Sequence, residues 1–257
     1  MIATFRTMLV LAPLSLGACA QAGTNLCESL PGTAAEIAAT PRGDRNLELL
    51  ALRLSEGVTA HEEVYQRLNR DIRAIRAQFP VVREIQYFAP HDGRGINVTL
   101  DQASYRKLQA GDYDAWECLN RHFRAVEMAP SGSNIVTLTL KGRYNLNVVA
   151  DAYRKTMGVV AAEPVTTLGD GPTIVVTPGE GSTWHYVFDN AGGACVAGCT
   201  THDAHYFTVR ENQEPVFIDQ WKYPGSSPPP WFERYAIGTE QRWRMDQASS
   251  RQLTRSK

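Results

Sequence analysis

The order of strand-like and helix-like segments in the middle of this 257-residue chain constrains its fold more than any other feature. Residues 96–100 alternate apolar and polar side chains, as a strand buried on one face does. A helix is predicted over Asp101–Gln109, with the aspartate as its N-terminal cap. A second helical piece runs over 112–123, and a short strand over 125–129. The first half of this segment is therefore predicted as a strand, a helical stretch and a second strand.

The second half repeats the same order of elements. Residues 135–140 are β-branched and alternating, which predicts a strong strand. Residues 146–156 are helical in pattern, Gly158 can end that helix, and 159–162 form a fourth strand. The order β-α-β-β-α-β is that of the ferredoxin-like split βαβ arrangement. We therefore predict a ferredoxin-like unit over 86–168 within an α+β fold.

A helical region is predicted over 45–85, before this unit. Residues 45–56 form a short helix with leucines on one face, and Thr59-x-x-Glu62 matches a capping box that would begin a longer one. Pro80 ends that helix. Its apolar stripe consists of Val64, Leu68, Ile72, Ile75 and Phe79.

The C-terminal part is predicted to be an antiparallel β-meander over 169–223, followed by a Pro-rich connector and tail over 224–257. The expected strands cover 173–177, 184–189, 205–210 and 215–220. Period-two spacing favours one side of a sheet core over a binding face for the aromatic residues Trp184, Tyr186, Phe188, Tyr206 and Phe207. His185 is interpreted as a strand residue without a catalytic role.

The N-terminus carries an apolar run from Met8 to Ala18 behind a single cation, Arg6. This run has the length of a signal peptide and is too short to span a bilayer as a permanent helix. It ends in Leu16-Gly17-Ala18-Cys19, which resembles the lipobox of bacterial lipoproteins.

The lipobox resemblance implies that residues 1–18 are a signal peptide and that Cys19 receives a lipid, with 19–44 as a tether. Several acyl chains hold a protein on a membrane where one is marginal. An ordinary secreted protein, cleaved near Ala20 or Ala22, is the alternative. Because Ala20 stands where a retention signal would place aspartate, the resemblance implies the outer membrane, facing the periplasm, as the location.

The remaining cysteines are expected to meet an oxidising compartment after export. Cys195 and Cys199 can be bridged in a tight turn, for which the neighbouring glycines supply backbone freedom. We predict this local disulfide, which would fix the turn between two strands. Cys27 and Cys118 are the second candidate pair, and a free buried thiol is the alternative for Cys118.

Zinc bound by Cys195, Cys199, His202 and His205 is the less favoured interpretation of the same segment. The spacing is compressed for a tetrahedral site, and in a strand His202 and His205 would point to opposite faces. A redox centre is less favoured still, because the spacing is not C-x-x-C. We therefore predict no metal and no cofactor.

Two further resemblances concern the folded part. The segment YNLNVVADAYRKTMGVVAAEPV, residues 144–165, resembles the end of a subtilase N-terminal prodomain, which implies a ferredoxin-like chaperone and inhibitor of serine proteases. The match reaches at most from 96 to 165, and the protease domain itself is absent. The whole sequence after the signal peptide also resembles a set of uncharacterised bacterial secreted proteins with a Gly-Asp-Cys-x-x-Gly-Cys turn between aromatic strands. The matching residues here are Gly193, Ala194, Cys195, Gly198, Cys199 and His202.

Motifs for catalysis do not occur in the sequence: it lacks G-x-S-x-G, H-E-x-x-H, a Walker loop and G-x-G-x-x-G. The formal net charge of −1 and the absence of a basic stripe argue against nucleic-acid binding. We therefore expect a non-catalytic lipoprotein that binds an envelope partner. The alternative is a prodomain-like inhibitor or folding assistant of a subtilisin-like protease.

Overall fold

The computed structural model describes residues 44–166, 170–195 and 199–237. Within them the chain forms two antiparallel sheets of four strands each, with helices packed on both. The predicted α+β fold is confirmed. The predicted signal peptide, Cys19 and Cys27 lie outside the described residues. No helix in the described part of the chain is long and apolar enough to cross a membrane.

The middle of the chain has the predicted ferredoxin-like topology. Its elements are β1 (Gly95–Leu100), α3 (Gln102–Ala110), α4 (Glu117–His122), β2 (Ala125–Pro130), β3 (Ile135–Leu140), α5 (Leu146–Arg154) and β4 (Val159–Pro164). The strand order is β2-β3-β1-β4, and every neighbouring pair is antiparallel. Apolar residues of β1 and β3 alternate into a core that α5 and the ring of Trp116 close.

Local signals set the ends of these elements. The side chain of Asp101 accepts a hydrogen bond of 2.7 Å from the backbone N–H of Ser104, which caps α3 as predicted. Gly111 ends the same helix in the left-handed conformation, at φ +79°. The second helical piece starts five residues later than predicted, because a turn over 112–116 places Trp116 in the core before α4 begins.

Two helices precede this unit, α1 (Arg45–Leu54) and α2 (Glu62–Gln78). The side chain of Asp44 caps α1. The predicted capping box at Thr59-x-x-Glu62 is wrong: His61 is the N-cap of α2 and makes no side-chain cap bond. The backbone N–H of His61 instead donates to the hydroxyl of Ser55, so the end of α1 positions the start of α2.

The C-terminal strands form the second sheet in meander order, β5 (Thr173–Pro178), β6 (Thr183–Asp189), β7 (His202–Arg210) and β8 (Val216–Tyr223). We call the side of this sheet that α1 and α2 cover its inner face, and the opposite side its outer face. Leucines of α1 and the predicted stripe of α2 pack on the inner face, against Ile174, Val176, Tyr186, Phe188, Phe207 and Val209.

The ferredoxin-like unit is thus inserted, in sequence, between helices α1 and α2 and the second sheet, on which those helices pack. The helices that cover the second sheet precede the inserted unit in sequence, and the sheet follows it. The contacts that join the parts include the ion pair of Arg143 with Glu48 at 3.0 Å and backbone hydrogen bonds from Asn145 to Val58 and from Phe88 to Pro172.

Candidate functional site

A C-terminal segment lies across the outer face of the second sheet. We call residues Pro229–Tyr235 the strap; it contains a helical turn, Pro230–Phe232, that runs into a π-helical turn, Glu233–Ile237. Phe232 is buried and packs with Val175, Val187, Ala204, Tyr206 and Trp221 of the sheet. The sequence predicted a connector and tail here and did not indicate that it folds back.

His185 lies beneath one end of the strap. Its Nδ1 is 2.7 Å from the hydroxyl of Tyr206, and its ring stacks on Tyr235 with centroids 4.4 Å apart. Burial lowers the pKa of His185, and the positive charge of Arg234 lowers it further. Burial also raises the pKa of Tyr206 to about 12, so this phenol is neutral at ordinary pH.

A second histidine lies on the same face. Nδ1 of His202 is 2.7 Å from Oδ2 of Asp189, while its ring stacks on Trp221 at 5.6 Å. Burial raises the pKa of Asp189, and the hydrogen bond from His202 opposes that effect. The other carboxylate oxygen of Asp189 is buried without a hydrogen-bond partner. An aspartate that orients a histidine is the arrangement of a general base, but here Trp221 and Phe232 pack against that ring.

His205 lies on the opposite face. His205 is three residues after His202 in β7, so the two side chains point to opposite faces. Nε2 of His205 lies 3.1 Å from Oδ1 of Asp203, and Lys222 forms an ion pair with the other carboxylate oxygen of Asp203. The two histidines therefore do not meet in space. Among the described residues no three His, Cys, Asp or Glu side chains form a group able to hold a metal ion. The zinc alternative of Cys195, Cys199, His202 and His205 is thus not assembled.

The cysteine turn lies at the end of the β6–β7 hairpin. Cys195 and Cys199 are at disulfide distance. Gly193 adopts a φ of +83°, and Gly192 pairs with Thr201 in an isolated bridge just before β7. The pair therefore lies where the sequence placed it, in the turn that connects two aromatic strands.

The other predicted pair is only partly within the described residues. Cys118, in α4, is disulfide-bonded, whereas Cys27 lies outside them. The pairing of Cys118 with Cys27 remains a prediction.

The aromatic residues predicted for one face divide between two faces. Tyr186, Phe188 and Phe207 lie in the inner core, and Trp184 packs against it. Tyr206 lies on the outer face instead. The reason is the register of β6 with β7, which pairs Tyr186 with Phe207 and Val187 with Tyr206.

Strand β8 forms one edge of the second sheet, since it pairs with β7 on one side. Its first three residues are all apolar and exposed: Val216 by 54%, Phe217 by 44% and Ile218 by 47%. The ring of Phe79, at the end of α2, packs against the ring of Phe217, with centroids 6.2 Å apart. Sequence reasoning missed this surface, although the uncharged run Val-Phe-Ile after Pro215 was its visible signal.

The prodomain resemblance implies an inhibitory tail that follows the last strand of the ferredoxin-like unit. Here the chain instead continues from β4 toward the second sheet, and the backbone N–H of Val165 donates to the carbonyl of Gly95. Asp170 then donates to the carbonyl of Cys195. The chain after the ferredoxin-like unit is therefore engaged in the fold on both sides of residues 167–169.

Comparison with known proteins finds no matching family model, no matching curated protein and no matching solved structure.

Proposed function

We propose that this chain is a lipid-anchored protein of the bacterial cell envelope that binds an extended segment of another envelope protein. Its lipid would be attached at Cys19, and the folded domain would face the periplasm from the outer membrane. The observation that carries the binding role is the exposed apolar edge strand, β8.

An edge strand presents unpaired backbone donors and acceptors to any chain that can adopt an extended conformation. Proteins usually protect such edges with charge, proline or a bulge. Strand β8 has Pro215 before it, a register irregularity between Phe217 and Asp219, and charge at Asp219 and Lys222. Its first three residues are nevertheless uncharged and apolar.

The three apolar side chains at the start of β8 add specificity to this backbone template. Phe217 is held by Phe207 at 5.6 Å as well as by Phe79, so its position is fixed although it is half exposed. A partner that adds a strand here would pair its backbone with β8 and place apolar side chains against the exposed side chains of the first three residues of β8. We therefore infer an extended, alternately apolar peptide segment as the ligand.

Photo-crosslinking in cells tests this surface. A photoreactive phenylalanine analogue is placed at 218, and the matched control places it at Met128, which is 49% exposed on the edge strand β2. We expect a discrete adduct from 218 that disappears when Phe217→Lys is added, and no such adduct from 128. Equal adducts from both positions, no adduct, or an adduct with a second copy of this chain would contradict the proposal.

Lipid attachment is tested separately with labelled palmitate. The wild-type chain is expected to incorporate the label, and Cys19→Ala is expected to lose it. A variant at Cys118, which lies in the folded domain, is the matched control and should keep it. Label in Cys19→Ala at the wild-type level would show that the anchor is not at this residue.

A protease inhibitor or folding assistant is the second candidate, and the ferredoxin-like topology favours it. Asn97, Thr99 and Thr137 are partly exposed and lie on the face of that unit's sheet opposite its core. Assays against several subtilisin-like proteases, at high micromolar concentrations of this protein, test it directly. Absence of inhibition would leave the binding module as the remaining proposal.

A further inference from the structure

The strap is held on the outer face mainly by ring contacts. Trp231 stacks on Tyr206 at 5.2 Å, Phe232 packs on Trp221 at 4.3 Å, and Tyr235 stacks on His185. The indole N–H of Trp231 donates to Asp219 at 2.8 Å, in an exposed position. The strap therefore fastens to the sheet through side chains.

The backbone of the strap does not extend the sheet. The N–H groups of Phe232 and Glu233 donate back to the carbonyl of Pro229, within the strap itself. Residues 224–227, which connect the strap to β8, are exposed. The strap can thus leave the outer face without breaking a strand pairing of the second sheet.

A titratable group, His185, lies between the strap and the sheet at the Tyr235 end of the strap. His185 projects from β6, and the stack on Tyr235 places a strap ring directly on its imidazole, with an angle of 12° between the rings. The groups that face it from the surrounding elements are Tyr206 and Thr208 of β7, Thr177 of β5, Gly179 of the β5–β6 turn, and Arg234 and Tyr235 of the strap.

The charges around His185 disfavour its protonation while the strap is in place. Arg234 is the charged group that acts on it, and Arg234 also lies over the ring of Tyr235, at 5.3 Å. Burial beneath the strap and the nearby guanidinium both lower the pKa of His185. With the strap removed, the imidazole would be hydrated and apart from Arg234, and its pKa would return toward about 6.5.

The direction of the effect follows from linkage. The closed state binds fewer protons than the open state, because the pKa of His185 is lower when the strap covers it. Closure is therefore fully favoured above about pH 6.5, the value for a free histidine, and weakens as the pH falls below that value.

We propose that the strap is an acid-released cover, held shut by neutral His185 and released from the outer face when this histidine is protonated. Release would expose Tyr206 and Trp221, which the strap rings now cover. The second-sheet core on the inner face is independent of this movement, since α1 and α2 cover it.

Fluorine NMR of the chain without its predicted signal peptide, residues 19–257, tests this inference. The tryptophans are replaced by 5-fluorotryptophan, and the resonance of Trp231 is identified by its loss in Trp231→Phe. We expect this resonance to move from its closed-state position toward that of exposed fluorotryptophan as the pH falls from 7.5 to 5. The resonance of Trp116, buried in the ferredoxin-like unit, should stay in place over this range.

Two variants and one control separate the proposed cause from a general loosening of the strap. His185→Gln is expected to remove the pH dependence of the Trp231 resonance, whereas His61→Gln, at an exposed histidine outside the strap, should keep it. Arg234→Gln should weaken the acid response, so that a smaller fraction of strap is released at pH 5.5, because the guanidinium no longer depresses the pKa of His185.

The inference is overturned if Trp231 does not respond to pH, or if the response persists in His185→Gln. Persistence would show that a group other than His185 releases the strap. If the strap of His185→Gln is already open at pH 7.5, the Arg234→Gln variant provides the test. An acid response of Trp231 in Arg234→Gln that is unchanged or stronger than in wild type would refute the role of His185.

Discussion

Tyr186→Phe should destabilise the protein more than the loss of an ordinary hydroxyl. The phenol of Tyr186 is fully buried and donates to Oδ2 of Asp71 at 2.7 Å. Asp71 is itself 2% exposed and also contacts Arg67 and Arg70, at 3.4 and 3.1 Å. Burial is the main cause that raises the pKa of Tyr186, so the phenol keeps its proton and remains a donor at neutral pH.

The expected magnitude follows from the charge of the acceptor. A hydrogen bond to a charged group contributes about 1.5–3 kcal/mol, whereas one between neutral groups contributes about 0.5–1.5 kcal/mol. Removing the hydroxyl leaves Asp71 with its two arginines but without its shortest hydrogen bond. We expect Tyr186→Phe to lower the free energy of unfolding by about 1.5–3 kcal/mol.

The matched control is Tyr153→Phe in the ferredoxin-like unit. Tyr153 is also fully buried, and its hydroxyl donates at the same distance, 2.7 Å, to the neutral side-chain oxygen of Asn120. Urea unfolding followed by circular dichroism measures both variants against wild type. A loss for Tyr186→Phe no larger than that for Tyr153→Phe would refute the reasoning that charge at Asp71 strengthens this contact.

Three further predictions concern the turn of the β6–β7 hairpin and two glycines with positive φ. Cys195→Ser opens a very short loop and should lower the free energy of unfolding by only about 1–2 kcal/mol in thermal unfolding. Mass spectrometry of a non-reduced wild-type digest should show Cys195 joined to Cys199. Free thiols at these two residues would contradict the predicted disulfide. Gly111→Ala should cost about 1–2 kcal/mol, from its left-handed φ alone, since a Cβ there meets nothing within 4 Å. Gly158→Ala, at φ +84°, should cost more in the same urea assay, because its Cβ would come within 2.7 Å of Ser104 Cβ; equal costs would show that the contact with Ser104 relaxes freely.

The ferredoxin-like unit was predictable because its signals are local and agree with one another. Alternation in β1 and β3, the cap at Asp101 and the left-handed Gly158 each act within a few residues. The order of elements then leaves few topologies, since short connections favour antiparallel neighbours. The same local signals placed the four strands of the second sheet.

The partners of the amphipathic faces were not predictable in this way. The stripe of Leu68, Ile72 and Ile75 indicates that α2 buries one side, but it does not say against what. In the structure that side meets strands more than 90 residues later in the chain, such as those of Ile174 and Tyr186. Likewise, the pairing of His202 with Asp189 depends on a hairpin register that the intervening turn conceals.

The inserted position of the ferredoxin-like unit has a consequence for how the chain folds. Contacts between distant segments form slowly, because loop closure costs entropy before any contact is gained. The apolar faces of α1 and α2 are covered by residues of strands β5–β7, so they stay exposed until the chain as far as residue 209 is present. The inserted unit has its own core and can fold first, which brings Glu48, Val58 and Phe88 near their partners. A disulfide in the β6–β7 turn would then act on the slow step, because it limits the registers in which the last sheet can pair.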